Sequence, residues 1–244
     1  MGHLSYSQIS TYMRCPAEYY FKYVREIPSP SNAYMVRGLA VHKGIEESMR
    51  QKIKTHKDLP VDDVIDLALD RFWKAKDDAE ISHADKTAED VISLTKLYMA
   101  EIAPSIQPVM VEEQMEIVFD GFKKSLLGYI DLVDDKGVIH DIKTSKRSPG
   151  EKVIDDNLQL ACYSLLYRSA GYEESGLSLD YLITTKTPKA ESFTTSIDDR
   201  GRERFLNIMT NVNRGIENGI YYPNTQSLYC SSSCPYYKEC KKEW

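Results

Sequence analysis

A mixed α/β fold is predicted for this 244-residue chain, with a helical first part and a cysteine-rich tail. Three observations predict it. Apolar residues recur at helical spacing up to residue 103. Short apolar runs bounded by turn residues follow between 109 and 145. Helical and extended runs then alternate from 157 onward. The composition, 42% apolar and 28% charged, is that of a globular chain long enough to bury a core. No internal repeat or low-complexity tract interrupts it. The net charge of −6 excludes a globally basic nucleic-acid binder, although a local basic groove would suffice for one. No run reaches transmembrane length and the start, MGHLSYSQIS, has no secretory apolar stretch, so the expectation is a soluble, cytoplasmic protein without a membrane partner.

The elements follow in order. Residues 6–24 read as one helix, with Ser5 or Ser7 as cap and Ile9, Met13, Tyr20 and Val24 as its apolar stripe; Pro28 and Pro30 end it. A second helix lies within 33–56, where His42 and Glu46 share a face. Residues 61–79 and 86–103 read as two more, stopped by Pro104 and Pro108. Strands are predicted at 109–119, 124–135 and 137–145, the last two joined through Asp134-Asp135-Lys136-Gly137. A helix at 157–171, strands at 177–186 and 191–197, and a helix at 199–218 complete the core. The tail after 218 is too short and too rich in cysteine for a core of its own.

The stretch GVIHDIKTSK, 137–146, carries the chemistry. Two-residue periodicity points Asp141 and Lys143 to one face of a strand end and Ile142 to the other. A tight hairpin can bring Asp131, in GYIDLV, beside Asp141. Two carboxylates are the usual means of holding Mg²⁺ or Mn²⁺, and the Ile142 carbonyl is a candidate third oxygen. Lys143 could then orient the attacking water or stabilise charge building on a phosphate. Gln159 and Tyr163 share a helix face four residues apart and could hold the substrate or Lys143. His42 is a candidate further metal ligand from the second helix. Glu112, Glu113 and Glu116 precede this set on a strand that reads as half exposed.

Five cysteines are the other feature. Cys230, Cys234 and Cys240 crowd the tail, and Cys15 stands near the start. Structural disulfides are not expected in an intracellular protein, and four thiolates can hold either zinc or an iron–sulfur cluster. Cys162 reads as a core residue. Bound metal would staple the first helix to the tail, so that binding free energy becomes folding free energy.

Taken in order, the histidine of RGLAVHKGIE, then GYIDLV, HDIKTS and QLACY, resemble the RecB-type branch of the PD-(D/E)XK nuclease superfamily. The likeness is nearest to its iron–sulfur members, the CRISPR-associated RecB-like exonucleases and related stand-alone phage and archaeal proteins. It runs from about residue 5 to 242. The resemblance implies a restriction-endonuclease-like core, His42, Asp131 and Asp141 as metal ligands, Lys143 as the catalytic lysine, and Gln159 and Tyr163 on the substrate side. It also implies a [4Fe–4S] cluster on Cys15, Cys230, Cys234 and Cys240. The second acid is Asp where many members have Glu, and three residues separate the first two tail cysteines where two are common.

These readings give a single nuclease domain over 1–244, with a helical part at 1–108, the core at 109–218 and the cysteine tail at 219–244. The implied activity is a Mg²⁺- or Mn²⁺-dependent deoxyribonuclease, an exonuclease on single-stranded or free-ended DNA. Tyrosines among the cations at Arg14, Lys22, Arg25, Arg37, Lys146, Arg147, Lys152, Lys238, Lys241 and Lys242 suit stacked bases, although most of those near the cysteines are expected to pack there. One rival is a structure-specific or nicking endonuclease. Another, of a different class, is a DNA-binding adaptor in CRISPR spacer acquisition or phage recombination, with protein partners. No motif selects an oligomeric state.

Overall fold

The computed structural model describes residues 2–29, 31–76, 79, 81–150, 153–154 and 157–244. Lys152, one of the cations noted above, lies outside the described residues. The chain divides into two compact units. One comprises Met1–Pro30, Glu116–Gly128 and Asp198–Trp244; the other comprises Ser31–Met115 and Tyr129–Ile197.

The second unit begins with α3, Ala33–Thr55, which follows four elements of the first unit: β1 (Gly2–Leu4), α1 (Tyr6–Arg14), α2 (Pro16–Tyr19) and a π-helical turn (Tyr20–Val24). Asn32 caps α3 by accepting hydrogen bonds at 3.0 Å from the amides of Tyr34 and Met35. The helix stops where His56 turns left-handed at φ 56°. Next come α4 (Val61–Lys76) and α5 (Ala84–Glu101). Gly44 is what lets α3 and α4 close up: a Cβ there would lie 2.8 Å from the Val64 carbonyl and 3.0 Å from Ala68 Cβ. The three helices bury Val41, Ile45, Met49, Phe72, Leu94 and Tyr98 in one core.

The strands are β2 (Pro108–Ile117), β3 (Lys124–Asp134) and β4 (Val138–Ser145), then, after α6 (Leu158–Ser169), β5 (Gly176–Ile183) and β6 (Lys189–Thr195). β2 pairs with β3, β3–β4 and β5–β6 are antiparallel, and β4–β5 is parallel, so the sheet is mixed. The hairpin between β3 and β4 forms at the predicted turn. Asp134 Oδ1 accepts from the amides of Lys136 (3.0 Å) and Val138 (2.8 Å), and Gly137 supplies φ +80°. Val111, Leu132, Ile142 and Leu182 join the core of α3–α5, which places those helices on one sheet face. Gly38 brings α3 close to β4, since a Cβ there would meet Thr144 Oγ1 at 3.3 Å.

The first unit departs from the single helix expected over 6–24. Ser5 caps α1, but Cys15 is extended (φ −162°) and Pro16 opens α2, which runs into a π-helical turn at Tyr20–Val24. The break shifts the helical phase. Met13 and Val24, expected in the apolar stripe, are 45% and 48% exposed, whereas Tyr12, Ala17 and Tyr19 are buried. β1, which no periodicity announced, pairs in parallel with the start of β3. The remaining elements here are α7 (Asp199–Glu217) and α8 (Tyr237–Glu243). The tail is ordered against the first helices: Ala17 N donates to Tyr222 O (3.0 Å), Asn224 Nδ2 to Arg14 O (3.0 Å), and Tyr236 stacks on Phe21 at 5.7 Å.

Candidate active site

Asp141 is fully buried on β4. The Lys143 ammonium lies 2.8 Å from its carboxylate, as expected of side chains two apart on a strand. From α6, Gln159 Nε2 donates to Asp141 Oδ1 at 3.1 Å and to the Tyr163 hydroxyl at 2.9 Å. Asn157 fixes the start of α6 by capping the amides of Gln159 and Leu160. His140, between Ile139 and Asp141, turns the other way. Its Nδ1 lies 2.7 Å from Asp180 Oδ2, a buried pair that ties β4 to β5, and its Nε2 lies 3.6 Å from Asp134 Oδ2.

Asp131 meets the same place from β3. Its Oδ2 accepts the Ile142 amide at 2.9 Å. His42 Nε2 lies 2.8 Å from the Ile142 carbonyl oxygen, and His42 Nδ1 lies 3.7 Å from Asp131 Oδ2. The sequence-predicted set, His42, Asp131, Asp141, Ile142, Lys143, Gln159 and Tyr163, is therefore gathered at one point. Glu112 joins it. Ligand atoms of His42, Glu112 and Asp131 all lie within 4.8 Å of one another. Glu112 sits at φ +49° on β2, so its direction does not follow from strand alternation. The strand is half exposed as expected, with Glu113 and Glu116 exposed, and no sequence pattern separates Glu112 from these two.

The charges are in conflict. Burial pushes Asp141 up to about 6; Lys143 opposes the rise and Asp131 adds to it. Burial, with the charges of Asp131 and Glu46, lifts Glu112 to about 7. Burial also works against the Lys143 charge, but the fields of Asp141 and Asp131 outweigh it and raise its pKa. Burial raises the Tyr163 phenol well above its ordinary value. Asp141 Oδ2, although 2.8 Å from the ammonium, accepts no aligned hydrogen bond among the described residues. Excess negative charge on carboxylate oxygens, one carbonyl and one imidazole is a donor set that fits a hard divalent cation.

The four remaining candidates, Cys15, Cys230, Cys234 and Cys240, line a single cavity of the first unit, about 410 Å³ counting its open mouth. Tyr20, Cys15, Cys234 and Cys240 pack around Ala17, Phe21 and Tyr236. Burial raises the thiol pKa of Cys234 and Cys240. Tyr19 and Tyr236 are 1% and 2% exposed, so these two pack, as expected of most tyrosines here. Cys162 is buried in the other unit.

Residues 3–241 match the PD-(D/E)XK nuclease superfamily. The chain belongs to that superfamily. A crystal structure from Eubacterium rectale, described as a "Putative exonuclease", superposes with a TM-score of 0.60 at 14% identity over 95% of this chain and 86% of that one. At that identity it shows the fold alone. The crystal structure of SSO0001 aligns over 93% of this chain and 95% of that one at 13% identity, with a TM-score of 0.35. No curated protein matches the chain. The superfamily makes the chain a metal-dependent nuclease with a mixed sheet flanked by helices. Among the described residues no helix is long and apolar enough to cross a membrane.

Proposed function

We propose that the chain is a Mg²⁺- or Mn²⁺-dependent deoxyribonuclease, an exonuclease acting on single-stranded or free-ended DNA. The observation that carries the reading is the convergence of Asp131, Asp141 and Lys143 with His42, which arrives from a separate helix. Asp131, Asp141, the Ile142 carbonyl and His42 would hold the cation, with Glu112 added to them. The bound cation supplies a Lewis acid and an activated water.

The chain's own residues supply the rest. Lys143 is held against Asp141 and presents a charged ammonium to the phosphate oxygens, where charge grows as the bond breaks. Gln159 ties the Asp141 carboxylate to the Tyr163 hydroxyl, and Gln159 and Tyr163 are the substrate-side residues. The conflict among Asp131, Asp141 and Glu112 is relieved when a dication binds, so the site is organised around charge it does not itself contain.

The same proposal places a [4Fe–4S] cluster on Cys15, Cys230, Cys234 and Cys240, as in the RecB-like iron–sulfur branch with its CRISPR-associated members. Four thiols on one cavity, brought from the two ends of the sequence, support it. The whole chain is then one cytoplasmic nuclease domain with a helical part, a core and a cluster-closing tail. The test is protein purified without oxygen, analysed for iron and visible absorption, then incubated with end-labelled and circular single-stranded DNA and Mn²⁺ or Mg²⁺. Shortening of labelled DNA with circles left intact supports the exonuclease. Cutting of circles replaces it with an endonuclease. Colourless, zinc-loaded protein removes the iron–sulfur assignment.

A further inference from the structure

An open groove in the second unit, about 1360 Å³ counting its mouth, is lined by the start of α3, the start of α5 and the segments after β4 and β5. Arg37, Lys86, Lys146 and Lys186 all line it, and Asp90 is the one carboxylate among the described lining residues. Cations in a cleft concentrate the field and attract an anion.

Arg37 is the telling member. It is only 2% exposed, yet its charge is met weakly, by Asp90 Oδ2 at 3.3 Å and Thr184 Oγ1 at 3.2 Å, both from Nη1. Its buried Nε has no hydrogen-bond partner among the described residues. A buried guanidinium with a donor unspent is costly, and its planar fork of donors matches a phosphate. Its carbon lies 5.6 Å from the Tyr34 ring centroid. The Lys146 Nζ sits 4.3 Å from that same centroid and donates to the Tyr34 hydroxyl at 2.6 Å. Tyr34, 50% exposed, thereby holds the two cations on one wall and offers surface to a base.

The groove is tied to the acid cluster by two continuous elements. Arg37 and His42 lie on α3 five residues apart, about 7.5 Å along its axis. Lys146 follows Lys143 by three residues, just past the end of β4 and at most about 10 Å on. We propose that this groove is a second phosphate subsite, in which Arg37 and Lys146 hold one phosphate of a nucleic-acid strand while a neighbouring phosphodiester lies at Asp131, Asp141 and Lys143. It rests on the nuclease reading for the identity of the strand. The phosphate is either an internal diester or the strand's terminal monoester, since both present the same oxygens.

The test is equilibrium binding of a fluorescent single-stranded oligonucleotide to the full chain in EDTA, across a KCl series. Lys146→Gln is expected to weaken binding about five- to tenfold and to flatten the salt slope by about 0.7, the release expected for one lost single-strand phosphate contact. Arg37→Gln is expected to weaken it tenfold or more. Lys146 is exposed, so its variant keeps the test valid where Arg37→Gln unfolds. Lys74→Gln, at a lysine 69% exposed on α4 away from the groove, is expected to bind as wild type. Unchanged affinity and slope in Lys146→Gln, or an equal loss in Lys74→Gln, overturns the subsite. A Lys146 effect confined to 5′- or 3′-phosphorylated strands assigns the terminal phosphate; an equal effect on circular strands assigns the internal one. Wild-type protein that binds with a Lys146-dependent slope yet never cuts with Mn²⁺ or Mg²⁺ breaks the nuclease reading and leaves the subsite standing.

Discussion

The acid cluster and the cysteine cavity are built in opposite ways. Asp131, Asp141, Lys143, Gln159 and Tyr163 lie on three consecutive elements, β3, β4 and α6, and the hairpin and strand geometry do most of the gathering. Cys15 and Cys240 stand at the two ends of the chain, and only the packing of the tail on α1 and α2 brings them to one cavity. The acids crowd negative charge that Lys143 only partly offsets, whereas the thiols sit beside a small apolar cluster of Ala17, Phe21 and Tyr236. The first arrangement trades electrostatic comfort for chemistry. The second joins the two ends of the chain and stands to gain stability from whatever its sulfurs bind.

If that contrast holds, the largest effect belongs to the acids and is on activity. Asp141→Ala and Lys143→Ala are each expected to lower metal-dependent DNA cleavage at least about a thousandfold, with visible absorption, iron content and melting temperature near wild type. Residual activity near wild type in either variant removes the site as drawn. The cysteines should show the reverse pattern. Cys15→Ser is expected to abolish the bound metal and lower the melting temperature by about 10 °C or more, followed by circular dichroism on anaerobic samples.

Glu112 sharpens the electrostatic half of the comparison. Its carboxyl holds a proton up to about pH 7 in the fold but only in the ordinary carboxylate range when unfolded. The folded state thus binds more protons, and metal-free protein loses stability as pH rises from about 4 to about 7. Glu112→Gln is expected to be about 1–2 kcal/mol more stable than wild type at pH 8, allowing for partial exposure, with no gain at pH 4. Urea melts at the two pH values measure it. The same variant should bind Mn²⁺ about tenfold more weakly, read by the metal-induced rise in melting temperature.

The smallest effects compare packing in the two units. Gly44→Ala drives a methyl against the Val64 backbone and is expected to cost about 1–3 kcal/mol. Gly215→Ala meets the Tyr12 ring end, which is buried, donates to Ile220 O at 2.7 Å and packs edge-on against Tyr19, so a cost of the same order, about 1–3 kcal/mol, is expected in the same urea melts despite the gain in helix propensity. A cost at Gly215 well below that at Gly44 would mean that the Tyr12 ring gives way and that its bond to Ile220 O, 2.7 Å, anchors little.

Much of the acid cluster was legible because strands and helices repeat at fixed periods. Asp141 and Lys143 had to share a face, as did Gln159 and Tyr163, whatever surrounded them. The Asp134–Gly137 turn was legible for the same local reason: Asp134 caps its own hairpin and Gly137 takes a positive φ. The continuous helix over 6–24 was not, because its phase depends on an extended Cys15 whose neighbours come from the far end of the chain.

The sequence by itself determined the residue types, their local spacing and the family, since these follow from short-range geometry and from motifs in order. Tertiary structure alone decided that Glu112, and not Glu113 or Glu116, reaches His42 and Asp131, because a left-handed residue in a strand breaks the alternation that sequence reading relies on. It alone assembled the groove around Arg37, whose lining comes from four separate segments that no local period relates. Local periodicity says which way a side chain points along its own element. Only packing says what stands opposite.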